Sequence, residues 1–128
     1  MKYLYPNQVL FIHQKVIEAS GGAGGVRDQG LLESAVYRPQ ASFGGEDLYP
    51  SLVTKVAAMT HSIAKNHPFV DGNKRTAYEA MRIMLKLNGH DIHANEDEKF
   101  KLMIELAESK ITEDSLADWL EQHTKPLK

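Results

Sequence analysis

The sequence predicts an all-α bundle of about six helices. Apolar residues recur at spacings of three and four and almost nowhere alternate strictly, which is the period of a helix face and not of a strand face. Gly and Pro fall where these stripes begin and end, so they read as helix boundaries. The 128 residues are 42% hydrophobic and 25% charged, and a chain of this size can bury roughly two thirds of its unfolded surface around one core. No linker-like or repeated segment divides it, and residues 1–128 read as a single soluble domain.

The first helix is expected from about Pro6 to Ala19, with Val9, Ile12, Val16 and Ile17 as its stripe, Pro6 in its first turn and Gly21-Gly22 as its stop. A second starts near Asp28, a suitable N-cap, carries Leu31, Leu32, Ala35 and Val36, and ends before Pro39. The third, from about Leu52 to Asn66, is apolar enough to be central. The fourth runs from Asn73 to Asn88 with Gly89 as its stop. A fifth carries Phe100, Met103, Leu106 and Ala107. The last runs from about Thr112 through Leu116, Trp119 and Leu120, with Trp119 assigned to the core.

Composition narrows function before any motif is weighed. Lys and Arg number 15 against 17 Asp and Glu, a net charge of -2, so the chain as a whole has no attraction for a nucleic-acid backbone or an anionic membrane. Direct nucleic-acid contact and membrane association are not expected. The apolar run Val9 to Ile12 stops at His13 and Gln14, too short for a signal peptide or a span. With no Cys there are no disulfides, thiol nucleophiles or thiolate metal sites, and the cytoplasm is the expected compartment. Any anion site must be local.

Such a site is offered by His67-Pro68-Phe69-Val70-Asp71-Gly72-Asn73-Lys74-Arg75, at the mouth of the fourth helix. N–H groups in a first helical turn lack intrahelical partners and sit at the positive end of the dipole, so Gly72-Asn73-Lys74-Arg75 forms an anion cradle suited to phosphate. Asp71 could hold Mg2+, which favours one or two carboxylates plus phosphate oxygens and water. Lys74 and Arg75 would neutralise further phosphate charge. His67 has the side chain whose ordinary pKa suits a general base near neutrality. Phe69 would anchor the loop in the core. The bland alternative is a polar helix start in which Asp71 or Asn73 caps, the cations are solvated and His67 packs on Pro68. That explains each residue singly and leaves the combination unexplained.

Continued through Thr76 and Ala77, this stretch resembles the signature of the Fic/Doc family, and within it the death-on-curing (Doc) toxin branch. Gly21-Gly22, Gly25-Val26-Arg27-Asp28, Gly30-Leu31-Leu32-Glu33-Ser34-Ala35 and Asn88-Gly89 also stand where that branch has similar residues, so the resemblance covers nearly the whole chain. Fic proteins proper carry Gly in place of Lys74 and a second Arg in place of Tyr78, where they help seat a nucleotide for AMP transfer. The resemblance to Doc therefore implies a Fic-fold bundle and the toxin of a type II toxin-antitoxin system. Such a toxin is a kinase that passes the γ-phosphate of ATP or another nucleoside triphosphate, with Mg2+, to a Ser or Thr hydroxyl of a translation factor. Elongation factor Tu is the family's known target, and its modification blocks protein synthesis. By the same resemblance His67 is catalytic, Asp71 binds the metal, and Gly72, Asn73, Lys74 and Arg75 bind phosphates. Two other readings stand beside it: an AMP transferase using the same site, and a non-catalytic binding toxin.

Self-inhibited Fic proteins carry an inhibitory helix, for which Ser109-Lys110-Ile111-Thr112-Glu113 followed by Asp114 is a poor match. Thr112 reads more simply as an N-cap. The resemblance then implies an antitoxin acting in trans, whose disordered C-terminal segment folds onto the toxin. The long connection Arg38 to Pro50 has two readings. Either Phe43, Leu48 and Tyr49 cover the core, or the segment is a short β-hairpin flap around Phe43, Gly44 and Gly45. In Fic-fold proteins such a flap receives an extended target segment as an added strand. Arg82 reads as solvated and His13 as packed or exposed. Neither His61 with His67 nor His90 with His93 has convincing metal-ligand spacing.

Overall fold

The most uniformly apolar stripe becomes the central helix. A computed structural model describes residues 1–127, and in it the helices are α1 (Pro6–Ser20), α2 (Gln29–Tyr37), α3 (Leu52–Asn66), α4 (Asn73–Leu87), α5 (Glu96–Ala107) and α6 (Glu113–His123). Helix α3 packs against α2, α4 and α6, and Val56, Ala57, Ala58 and Met59 are all fully buried, so it has no wet face over that turn. The small residues Ala77 and Ala80 of α4 let the two helices approach, and Met81, Met84 and Leu85 complete the contact.

Local chemistry sets the boundaries. Gly21 ends α1 in the left-handed conformation (φ 74°) and its N–H reaches Ile17 O at 2.8 Å. Asp28 caps α2 by accepting from Leu31 N at 3.0 Å. Ser51 and Thr54 form a capping box on α3, as Asn95 and Glu98 do on α5, and Thr112 caps α6 from Ser115 N. Glu98 also meets His123 Nε2 at 2.8 Å, and the Asn95 N–H together with His123 holds its carboxyl below the ordinary glutamate range.

The expected bundle is present, with two additions. Strands β1 (Ser42–Phe43) and β2 (Glu46–Asp47) form an antiparallel hairpin closed by Gly44 and Gly45, both at positive φ, so the connection between Arg38 and Pro50 holds the hairpin of the flap reading. Phe43 is 82% exposed and Leu48 54%, so these two do not cover the core. Strands β3 (His90–Ile92) and β4 (Thr124–Pro126) pair antiparallel and tie the C-terminal segment to the end of α4. Segments this short carry no readable period. On α5 the core positions fall to Leu102 and Leu106, while Phe100 is 67% exposed. Trp119 is half-buried, stacked on His123 with centroids 4.2 Å apart.

One buried charge fixes the hairpin. Lys55 on α3 is 2% exposed, and its Nζ donates to Asp47 Oδ2 at 3.1 Å and to Pro39 O at 3.4 Å. Removing Asp47 strands an ammonium inside the protein, whereas replacing Lys55 by an apolar chain of similar length removes the charge itself. Asp47→Ala is expected to lower stability by about 1–3 kcal/mol, and Lys55→Met by less than about 1 kcal/mol, in denaturant unfolding.

Candidate active site

Between α3 and α4 the chain must leave one helix and start another within a few residues. Helix α3 stops at His67, which adopts the left-handed conformation (φ 52°) ahead of Pro68, and Gly72 (φ 73°) turns the chain into α4. The backbone between them is satisfied by the segment after α1. Pro68 O accepts from Arg27 N at 2.8 Å and Asp28 N at 3.0 Å, and Val70 N donates to Gly25 O at 3.0 Å. The Arg27 side chain closes the end of α3, with Nε donating to His67 O and Nη2 to Asn66 O, both at 2.7 Å.

From within, the loop is held by two side chains. Phe69 is 1% exposed and lies parallel to the His13 ring with centroids 3.8 Å apart. Asn73 is buried, with Oδ1 accepting from Phe69 N at 2.9 Å and Nδ2 donating to Phe69 O at 3.0 Å. The sequence assigned the Asn73 side chain to phosphate. In the structure it clasps the loop, bonded to both backbone atoms of a buried Phe.

The remaining polar groups face out. His67, Asp71, Gly72, Lys74 and Arg75, with Val70 and Asn73, line an open hollow of about 270 Å³. No side chain caps the first turn of α4, so the N–H groups at its start remain for an anion. Among the described residues no carboxylate pairs with Lys74 or Arg75. The Asp71 carboxylate takes Gly72 N on Oδ1 at 2.8 Å and Ala23 N on Oδ2 at 3.2 Å, which leaves lone pairs on both oxygens. Among the described residues no three potential metal ligands cluster. One carboxylate beside a phosphate cradle fits the modest demand of Mg2+ arriving with a nucleotide. A larger hollow, about 500 Å³, lies beside α1 between Asn7 and Val26, but it brings together no such set of base, carboxylate and cations.

Other sequence expectations resolve around this hollow. Tyr78 is half-buried, and burial pushes its hydroxyl above the ordinary phenol range against the opposing Arg82 guanidinium. Arg82 turns toward Asp91, 3.5 Å away, and is not simply solvated. The β1–β2 hairpin is anchored at Lys55, toward the start of α3, while His67 stands at its far end.

The sequence model described as the Fic/DOC family matches residues 3–85, which hold α1 to α3, the motif loop and most of α4. The chain belongs to the Fic/Doc family. It lies on the Doc toxin branch: over 101 residues it is 48% identical to Toxin Doc of Mycolicibacterium smegmatis, covering 77% of this chain and 78% of that protein. Over 120 residues it is 30% identical to Protein kinase doc of Escherichia phage P1, covering 94% of each.

In this Fic/Doc chain Gly22 does more than help to stop α1. A Cβ on Gly22 would lie 2.6 Å from Asp71 Oδ2 and 3.3 Å from Ile17 Cδ1, so its missing side chain lets the turn touch the carboxylate. The readable signal was the doubling itself, since Gly21 alone suffices to end α1. The site end of an Asp side chain can swing aside without unfolding anything. Gly22→Ala is therefore expected to keep stability within about 1 kcal/mol while lowering activity by about tenfold or more, because the Asp71 carboxylate is pushed from its place in the hollow. Asn73→Ala should do the reverse in kind, lowering stability by about 1–3 kcal/mol because a buried Phe69 N–H and C=O lose their partners.

Proposed function

We propose that this chain is the toxin of a type II toxin-antitoxin pair and a protein kinase. It would transfer the γ-phosphate of ATP or another nucleoside triphosphate to a Ser or Thr hydroxyl and so block translation. The observation that carries the reading is the hollow itself, where His67, Asp71, Lys74 and Arg75 converge on an uncapped helix start. The printed name of the phage P1 relative, a protein kinase, agrees with it. By family resemblance the target is elongation factor Tu, the inhibitor is an antitoxin acting in trans, and the compartment is the cytoplasm.

Phosphoryl transfer asks the protein mainly for in-line positioning and charge neutralisation. His67 takes the proton of the target hydroxyl as its oxygen bonds to the γ-phosphorus and the bond to the β-phosphate oxygen breaks, releasing the diphosphate. Lys74, Arg75 and the free N–H groups of α4 neutralise the oxygens of the transferred and leaving groups. Asp71 would hold Mg2+, which would supply Lewis-acid neutralisation of phosphate charge. Lys74 and Tyr78 favour this orientation over AMP transfer, since the Gly and second Arg that seat a nucleotide for that reaction are both missing.

With bacterial extract and ATP labelled at either phosphate, γ label is expected on a protein hydroxyl and α label is not. α label on the target would establish AMP transfer instead. For the base, Asn is a better replacement than Ala because position 67 is left-handed, a conformation that costs most side chains about 1–2 kcal/mol and that Asn tolerates. His67→Asn should abolish γ transfer with an unchanged thermal transition. A fully active variant would remove His67 from the chemistry.

A further inference from the structure

His13 on α1 is 4% exposed, lines no part of the hollow, and has no place in the transfer step. Its Nε2 lies 2.8 Å from the backbone carbonyl of Asp71. A carbonyl only accepts, so Nε2 carries a proton and donates, which the neutral ring does as one tautomer. The peptide unit that receives this bond joins Asp71 to Gly72, a residue at φ 73° whose peptide can rotate more freely than that of any other residue type. The N–H of the same unit donates to Asp71 Oδ1 at 2.8 Å. One peptide plane is thus gripped at both ends: its C=O by His13, and its N–H by the carboxylate that it aims. Stacking on Phe69 in turn fixes the rotation of the His13 ring.

We propose that His13 is a positioning residue for the Asp71 carboxylate, acting by locking the Asp71–Gly72 peptide. The inference rests on the reading of Asp71 as the carboxylate that holds the ion. Without the donor the peptide can turn, and the carboxylate leaves the direction in which Gly72 N and Ala23 N hold it. The role needs the hydrogen bond and not merely a filled space, and two substitutions separate these. His13→Phe keeps an aromatic face against Phe69 and loses the donor. His13→Gln places an amide N–H near the former Nε2 and loses the stack.

Both variants are compared with the parent for the Mg2+ concentration that half-saturates γ-phosphate transfer, and, with no metal present, for amide exchange at Gly72 and Ala23. His13→Phe is expected to raise the Mg2+ requirement by about tenfold, with the nucleotide KM at saturating Mg2+ within about twofold of the parent, and to speed exchange at both amides. His13→Gln should stay near the parent in each. The opposite pattern, Phe like the parent and Gln impaired, makes His13 a packing residue and overturns the proposal, as does parental behaviour of both. Should His13→Phe not fold, a raised Mg2+ requirement in folded His13→Gln overturns it, and a parental one supports it. If the parent transfers no phosphate at all, the kinase reading fails by itself, and exchange at Gly72 and Ala23 still decides whether His13 locks the peptide.

Discussion

Where α3 hands over to α4, the ends of two helices meet, and each helix end carries backbone groups that its own helix cannot satisfy. The carbonyls ending α3 and the N–H groups beginning α4 are opposite in sign, and the fold treats them differently. The guanidinium of Arg27 covers Asn66 O and His67 O. The N–H groups at the start of α4 receive no side-chain cap. One helix end is therefore neutralised from within, and the other is left facing a hollow with Lys74 and Arg75 beside it. The rest of the site depends on this asymmetry, because capping both ends would have left no anion cradle.

Holding that arrangement takes more than the motif. The segment from Gly25 to Asp28 supplies backbone partners for Pro68 and Val70, and α1 supplies His13 beneath the loop. Phe69 and Asn73 lock the inner side, so the residues facing outward need contribute nothing to folding. Phe69, Asn73 and His13 fix the loop's shape from inside, and the segment from Gly25 to Asp28 fixes it from its flank. Asp71 stands between the two, since its carbonyl faces inward to His13 and its carboxylate outward.

Much of this was legible in the sequence because periodicity and motif chemistry are local. The helix stripes of α3 and α4, the Asp28 and Thr112 caps and the polar run from His67 to Arg75 could all be read directly. What was hidden depends on residues far apart in the chain. Nothing near Arg27 announces that it closes α3, nothing at Gly22 announces the Asp71 oxygen beside it, and His13 looks like any helix histidine. The Asn73 clasp was hidden for a related reason: an amide at a helix start suits a phosphate and a buried Phe69 backbone equally, and only the fold shows that its side chain bonds Phe69. Strands β3 and β4 escaped because a segment of three residues has no period, and Phe100 because the buried stripe of α5 runs through Leu102 and Leu106 instead.

The central claim is that the loop is built before any nucleotide arrives. Native-state hydrogen exchange on the free protein tests it most directly, since amides bonded in a preformed loop are protected until the loop opens. The amides of Arg27, Asp28 and Val70, each bonded to a distant acceptor, and that of Phe69, bonded to the Asn73 side chain, should then exchange nearly as slowly as those of Met59 and Ile63 in the middle of α3. Exchange at the rate of an open loop for these four, with α3 still protected, would show that the cradle forms only on binding and would contradict the account.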